Sequence, residues 1–188
     1  MVEQSGHIED VLMGIFAVSM MTIALIDFRK FIIPNVLVVI AGVTGVLLSA
    51  TGSSGGLGPA IAAGGGAFLL LAATRWGASL VLRKESMGIG DLKLAGVIGL
   101  FTGFVPFLIA LWMASIGGSL YGSLKLRNPP APPEVPIRRA GKSEIRDKSE
   151  IQNPKIPFGA FLALSSLVVV AFKGTILQIL DSWLTLNP

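Results

Sequence analysis

The sequence predicts an all-α integral membrane protein, a polytopic bundle of about six transmembrane helices. Hydrophobic residues make up 52% of the 188 residues, charged residues only 14%, and the mean hydropathy is +0.74. Such an apolar composition is typical of membrane proteins and excludes an ordinary soluble globule. Two further observations support this class: long uncharged runs and clustered basic residues. The length suits one membrane-embedded domain covering residues 1–188.

The uncharged runs predict the spans in chain order. The first apolar run, residues 11–26, is slightly shorter than the ~20 residues of a full crossing. Between Lys30 and Arg75 lie 44 uncharged residues, which the Gly/Ser-rich stretch 51–59 divides into two helices, the second reaching about residue 82. Residues 94–124 predict two short helices, or one helix and a re-entrant piece. Residues 156–172 predict a sixth span, and a short amphipathic tail follows at 176–186.

The basic residues predict the orientation. With the N-terminus outside, residues 27–31, 83–93 and 125–155 are cytoplasmic and hold thirteen of the fifteen Lys and Arg residues. Basic residues favour cytoplasmic loops, so this topology is the expected one. The Pro-rich loop 125–155 is then a flexible linker that faces anionic lipid. The net charge of +4 is explained by membrane lipid, and no nucleic-acid partner is expected.

Two aspartates stand at the ends of apolar runs, and both fall on the predicted cytoplasmic face. Asp27 ends the first run, and Asp91 opens the fourth. A carboxylate beside hydrocarbon costs a few kcal/mol by insertion scales, so it marks a candidate functional site. Two carboxylates that share a proton can hydrolyse a peptide, one as the acid and the other as the base. We expect Gly88 and Gly90 to allow unusual backbone torsions and the close approach of an extended substrate strand.

Three motifs carry a resemblance to a known family. The segment 88–91, Gly-Ile-Gly-Asp, resembles the Gly-x-Gly-Asp motif of intramembrane aspartyl peptidases. Asp27, followed seven residues later by Pro34 and Asn35, resembles the first motif of the bacterial type IV prepilin peptidases. The segment 156–159, Ile-Pro-Phe-Gly, resembles the late signature of that family, and Lys93 matches a lysine usual after the second aspartate. The sequence is therefore similar to that family over most of residues 27–172.

The resemblance implies an aspartic endopeptidase of the bacterial inner membrane. It would remove the short basic leader from prepilin or pseudopilin substrates at the cytoplasmic face, with Asp27 and Asp91 as the catalytic pair in a polar cleft. The residues implied to bind substrate or shape the site are Gly88, Gly90, Lys93, Pro34, Asn35, Pro157 and Gly159.

The chain also departs from the family pattern. Ala160 stands where many relatives have a second proline, and Phe31 and Ile32 replace positions that are often basic or polar. These differences bear on substrate preference. Longer members resemble a fusion to a domain with paired Cys-x-x-Cys motifs, whereas this chain has no cysteine. The resemblance implies the peptidase-only form found with tight-adherence pilus systems, with neither zinc nor another cofactor expected. The oligomeric state stays open.

Other interpretations of the same residues remain open at this stage. Asp27 alone could be an interfacial helix end paired with Arg29 or Lys30, and Asp91 alone could be the N-cap of the following helix. A small membrane transporter could also place acids near the membrane, although it would more often show inverted repeats and acids at the midplane. A non-catalytic assembly protein of a pilus or secretion system is the other alternative.

Overall fold

The fold is all-helical in the part of the chain that a computed structural model describes. That part comprises residues 2–51, 55–82, 88–127 and 157–172, with Thr175, Gln178 and Ser182. Most of the predicted basic loop and of the predicted tail lies outside it. Within it, six helices follow in chain order: α1 (Val2–Lys30), α2 (Asn35–Ala50), α3 (Leu57–Leu82), α4 (Ile89–Thr102), α5 (Phe104–Arg127) and α6 (Phe158–Ala171). The predicted all-α class is confirmed.

Long and short helices alternate along the described chain. The segments Gly6–Lys30, Leu57–Leu80 and Phe104–Lys125 are long and apolar enough to cross a membrane, with hydropathies of 2.2, 1.6 and 1.6. The helices between and after them, α2, α4 and α6, have 16, 14 and 14 residues. These are shorter than the ~20 residues that span a bilayer at right angles. Three candidate spans are therefore present, and six crossings remain a prediction.

The end of α1 differs from the predicted first span. The helix continues beyond residue 26, through Asp27 to Lys30. Phe31 then adopts the left-handed conformation (φ 53°), and its N–H donates to the Asp27 carbonyl at 2.9 Å. This is the αL termination that glycine usually provides. Pro34 directly precedes α2, as expected for a residue without an N–H. α1 therefore ends within four residues of Asp27, and α2 begins at Asn35.

The run at residues 94–124 is divided at Gly103. This residue has φ 97° and ψ 166°, a region open essentially only to glycine, and it separates α4 from α5. Pro106 lies in the first turn of α5, where a missing N–H breaks no helical hydrogen bond. Two helices are present, but α5 has 24 residues, so the expectation of two short helices was wrong for the second.

The helix α4 packs against α2, α3, α5 and α6. Its approach to α3 depends on small residues: a methyl group added to Gly99 would lie 2.6 Å from the Cβ of Ala67. Such close contacts between small residues are a usual way of packing membrane helices. On its other side, the ring of Phe101 stacks on that of Phe16 in α1, with centroids 3.7 Å apart. These contacts fix the position of α4 and of the aspartate in its first turn.

Candidate active site

Asp27 lies in the last turn of α1 and is only 5% exposed. Its Oδ2 accepts a hydrogen bond of 2.7 Å from the N–H of Ala160. Ala160 is the third residue of α6, and the first N–H groups of a helix have no partner within that helix. A carboxylate satisfies such a donor well, and the helix dipole favours it there. Asp27 is therefore a buried group held by α6, not a solvated helix end.

Asp91 is the third residue of α4, and the N-cap of that helix is Gly88. The Asp91 carboxylate lies beside Gly88, since a methyl group added to Gly88 would be 3.6 Å from Asp91 Oδ2. The interpretation of Asp91 as the N-cap itself was therefore wrong by three residues. Each of the two carboxylates thus lies at the N-terminal end of a helix, Asp91 within α4 and Asp27 against α6.

The two carboxylates converge on Gly159 at the start of α6. A methyl group added to Gly159 would lie 2.8 Å from Asp91 Oδ1 and 3.1 Å from Asp27 Oδ2. Both distances start from the same point, so the two oxygens are at most 5.9 Å apart, the sum of the two. Because Asp27 is buried and Asp91 is half-buried, carboxylates this close favour a state in which only one of the two is ionised. Such a pair can supply an acid and a base at once.

Ile33, in the connection between α1 and α2, approaches both motif glycines. A methyl group on Gly90 would lie 3.1 Å from Ile33 Cβ, and one on Gly159 would lie 2.6 Å from Ile33 Cδ1. The expectation of unusual backbone torsions at Gly88 and Gly90 was wrong, because neither residue has a positive φ. A close approach does occur at Gly90, but the neighbour is Ile33 of the chain itself. Ile33 was not among the predicted site residues, and its only signal in the sequence was an apolar β-branched residue directly before Pro34.

Four other predicted site residues lie at or near the starts of α2, α4 and α6. Lys93 Nζ donates to Asn35 Oδ1 at 3.3 Å, which joins α4 to the first residue of α2 on the exposed surface. Pro34 and Pro157 each stand directly before a helix, α2 and α6 respectively. A role for these four residues towards substrate stays a prediction. In the residues that the structure describes, no three His, Cys, Asp or Glu side chains come together as metal ligands would.

An aromatic cluster that was not predicted from the sequence surrounds the end of α1. The ring of Phe28 meets that of Phe161 edge-on at 5.4 Å, and both rings lie near Tyr121. Lys125 Nζ lies 5.7 Å from the centroid of Phe31 and 5.8 Å from that of Tyr121, within the range of cation–π attraction. The cluster therefore connects the start of the α1–α2 connection to α5 and α6.

Comparison with known proteins identifies the family. The profile described as the type IV leader peptidase family matches residues 14–123, more than half of the chain. The chain belongs to this family. The matched segment includes Asp27, Asp91 and Lys93 and ends before Gly159.

Several relatives carry the name prepilin leader peptidase/N-methyltransferase. The chain is 26% identical over 159 residues to the relative from Aeromonas salmonicida (strain A449), a match that covers 84% of this chain and 47% of the relative. It is 27% identical to that of Stutzerimonas stutzeri, over 92% and 52% of the two chains, and 26% identical to that of Escherichia coli (strain K12), over 83% and 60%. The chain thus spans about half the length of the relatives that it matches. No solved structure matches it.

The Ala160 departure from the family pattern has a structural consequence. The hydrogen bond to Asp27 comes from the N–H of Ala160. A proline, which the resemblance places at this position in many relatives, has no N–H and could not make this bond. The hydrogen bond to Asp27 therefore requires a residue other than proline at position 160.

Proposed function

We propose that this chain is an aspartic endopeptidase that removes the leader peptide from type IV prepilin-like or pseudopilin proteins. Asp27 and Asp91 are the catalytic pair. The observation that carries the proposal is the convergence of both carboxylates on Gly159, within 2.8 and 3.1 Å of a single point. Family membership and the printed name of the relatives supply the substrate class.

The proposed reaction needs one proton on the pair. The ionised carboxylate takes a proton from a water molecule, whose oxygen attacks the carbonyl carbon of the scissile peptide. The protonated carboxyl group donates to the substrate, and after the C–N bond breaks the departing amine carries the proton. The N–H of Ala160 holds the Asp27 carboxylate in a fixed direction, and the first turn of α4 positions the Asp91 carboxylate. This leaves the pair preorganised for the attack.

We further propose the setting of this reaction. The chain forms one membrane-embedded domain in the bacterial inner membrane, crosses it six times with the N-terminus outside, and opens a polar cleft to the cytoplasm. The distribution of thirteen of fifteen basic residues supports this orientation. A basic leader is attracted to a site with two acidic side chains. Pro34, Asn35, Lys93 and Pro157 border the site from the starts of α2, α4 and α6.

Co-expression with prepilins encoded in the same genome tests the proposal, with leader removal followed as a change in prepilin mass. Asp27→Asn and Asp91→Asn nearly preserve shape, and each is expected to lower the cleavage rate by roughly 10²–10⁴-fold. Asp10→Asn is the matched control, because Asp10 is an exposed aspartate of the same helix as Asp27. Full cleavage by both site variants would contradict the proposal and favour the assembly-protein alternative. Solute uptake by the purified protein in liposomes would favour a transporter.

A further inference from the structure

We infer that Ile33 is a positioning residue for the carboxylate pair, a side chain that sets the separation of α4 and α6 where the two aspartates meet. The inference rests on the proposed function for its catalytic consequence. Its geometric part, the contact of Ile33 with both helices, stands on the structure alone. No motif of the sequence pointed to this residue.

The contacts of Ile33 lie on both helices. On α4, the three nearest atoms to a methyl group added at Gly90 all belong to Ile33: Cβ at 3.1 Å, Cδ1 at 3.3 Å and Cγ1 at 3.5 Å. On α6, a methyl group added at Gly159 would meet Ile33 Cδ1 at 2.6 Å. Carbon atoms pack best at about 3.5–4.0 Å, so neither position leaves room for a side chain. Ile33 therefore occupies the space that two glycines leave between the helices.

The same side chain borders the acids. Ile33 Cδ1 and both carboxylates are close to one point, the methyl position on Gly159. From the summed distances, Cδ1 is at most 5.4 Å from Asp91 Oδ1 and at most 5.7 Å from Asp27 Oδ2. A change in the volume of residue 33 therefore alters the packing beside both carboxylates.

Neighbouring residues in the α1–α2 connection restrict the backbone and the side chain of Ile33. Pro34 restricts the backbone of the residue before it to extended conformations, and β-branching restricts the χ1 angle of isoleucine. Upstream, Phe31 ends α1 in a left-handed conformation with Lys125 over its ring. Downstream, Asn35 accepts the hydrogen bond from Lys93. The connection is thus held on both sides of Ile33, and its side chain acts as a stiff wedge.

Single variants test the catalytic part. Purified protein in detergent is assayed for kcat and KM on a prepilin with Ile33→Ala and with the control Val39→Ala, whose side chain in α2 is 62% exposed. Ile33→Ala should lower kcat about tenfold or more with KM within about twofold, because the carboxylates lose alignment while the substrate surface is largely kept. The control should match the parent. An unchanged kcat for Ile33→Ala overturns the inference.

A double-variant cycle tests the contact. Gly90→Ala should lose activity because the added methyl meets Ile33, and Ile33→Ala should restore part of that loss by removing two of the three crowded atoms. Ile33→Ala should not restore Gly159→Ala, whose methyl still meets both carboxylates. If Gly90→Ala and Ile33→Ala instead act independently, so that their fold-losses simply multiply, the wedge is refuted.

Thermal unfolding of the same variants, without substrate, separates the two proposals. A shift in Tm for the Gly90→Ala/Ile33→Ala pair that differs from the sum of the single shifts supports the contact, and additivity overturns it. This readout does not need cleavage. If the parent protein cleaves no prepilin while the unfolding cycle shows coupling, the proposed function fails and the placement of Ile33 stands.

Discussion

A single methyl group added at Gly159 is the sharpest perturbation that the structure offers. In Gly159→Ala the new Cβ would lie 2.6 Å from Ile33 Cδ1, 2.8 Å from Asp91 Oδ1 and 3.1 Å from Asp27 Oδ2. Carbon–carbon contacts are optimal at about 3.5–4.0 Å, so Ile33 Cδ1 must move by about 1 Å. The carboxylate of Asp91 must also move away from the new Cβ, by several tenths of an ångström.

These displacements give the expected magnitudes. Misplacing a reacting group by about 1 Å lowers a rate by about 10²-fold, so the smaller displacement of Asp91 in Gly159→Ala should lower kcat by roughly tenfold. Overpacking a well-filled site costs about 1–3 kcal/mol, so the variant should also be less stable. Cleavage of a prepilin measures the first quantity, and thermal unfolding in detergent measures the second.

Gly77→Ala is the matched control, since an added methyl at Gly77 in α3 has no neighbour within 4 Å. It should keep the parent rate and, as alanine in a helix, should not lower stability. Parent-like cleavage by Gly159→Ala at parent stability would refute the convergence of the two carboxylates on this glycine, and with it the geometric basis of the proposed mechanism.

Two other predictions concern packing and the surface. Gly64→Ala should destabilise the protein by about 1–3 kcal/mol, because its methyl would lie 2.8 Å from the carbonyl oxygen of Gly96. The control is Gly65→Ala, whose methyl meets nothing within 4 Å and which should be neutral. Equal melting temperatures of the two variants in detergent would contradict the α3–α4 packing. Lys93→Met removes the exposed hydrogen bond to Asn35 and should change the free energy of unfolding by less than about 1 kcal/mol. A larger loss in chemical unfolding would show a further role for Lys93.

The helices were largely predictable because their signals are local. Uncharged runs, Pro34 before α2 and the Gly/Ser-rich stretch before α3 each mark a boundary within a few residues. The break at residue 103 was not located, since Pro106 is the stronger breaker by propensity. The positive φ of Gly103 (97°) ends α4, and Pro106 is harmless in the first turn of α5.

The site was predictable only in part. Asp27 and Asp91 stand out because carboxylates are rare beside apolar runs, and the motifs of a known family surround them. Gly159 was named as a site residue, but its place between the two acids depends on the packing of α6 against α1 and α4. Ile33 carries no local signal, since an apolar residue beside a membrane helix is ordinary. Such contacts arise from tertiary packing that no periodicity encodes.

The alternation of long and short helices has a consequence for the surrounding lipid. At 1.5 Å per residue, the 14 residues of α6 extend about 21 Å, against about 30 Å of hydrocarbon in a typical bilayer. α1 packs against α2 and α6, both short, so hydrophobic mismatch is concentrated around the helix that carries Asp27. If α2 and α6 meet lipid along their length, the bilayer beside them must be locally thinner. Proteoliposomes of shorter-chain lipid should then support faster cleavage than those of longer-chain lipid. A rate indifferent to bilayer thickness would mean that protein, not lipid, surrounds these two helices.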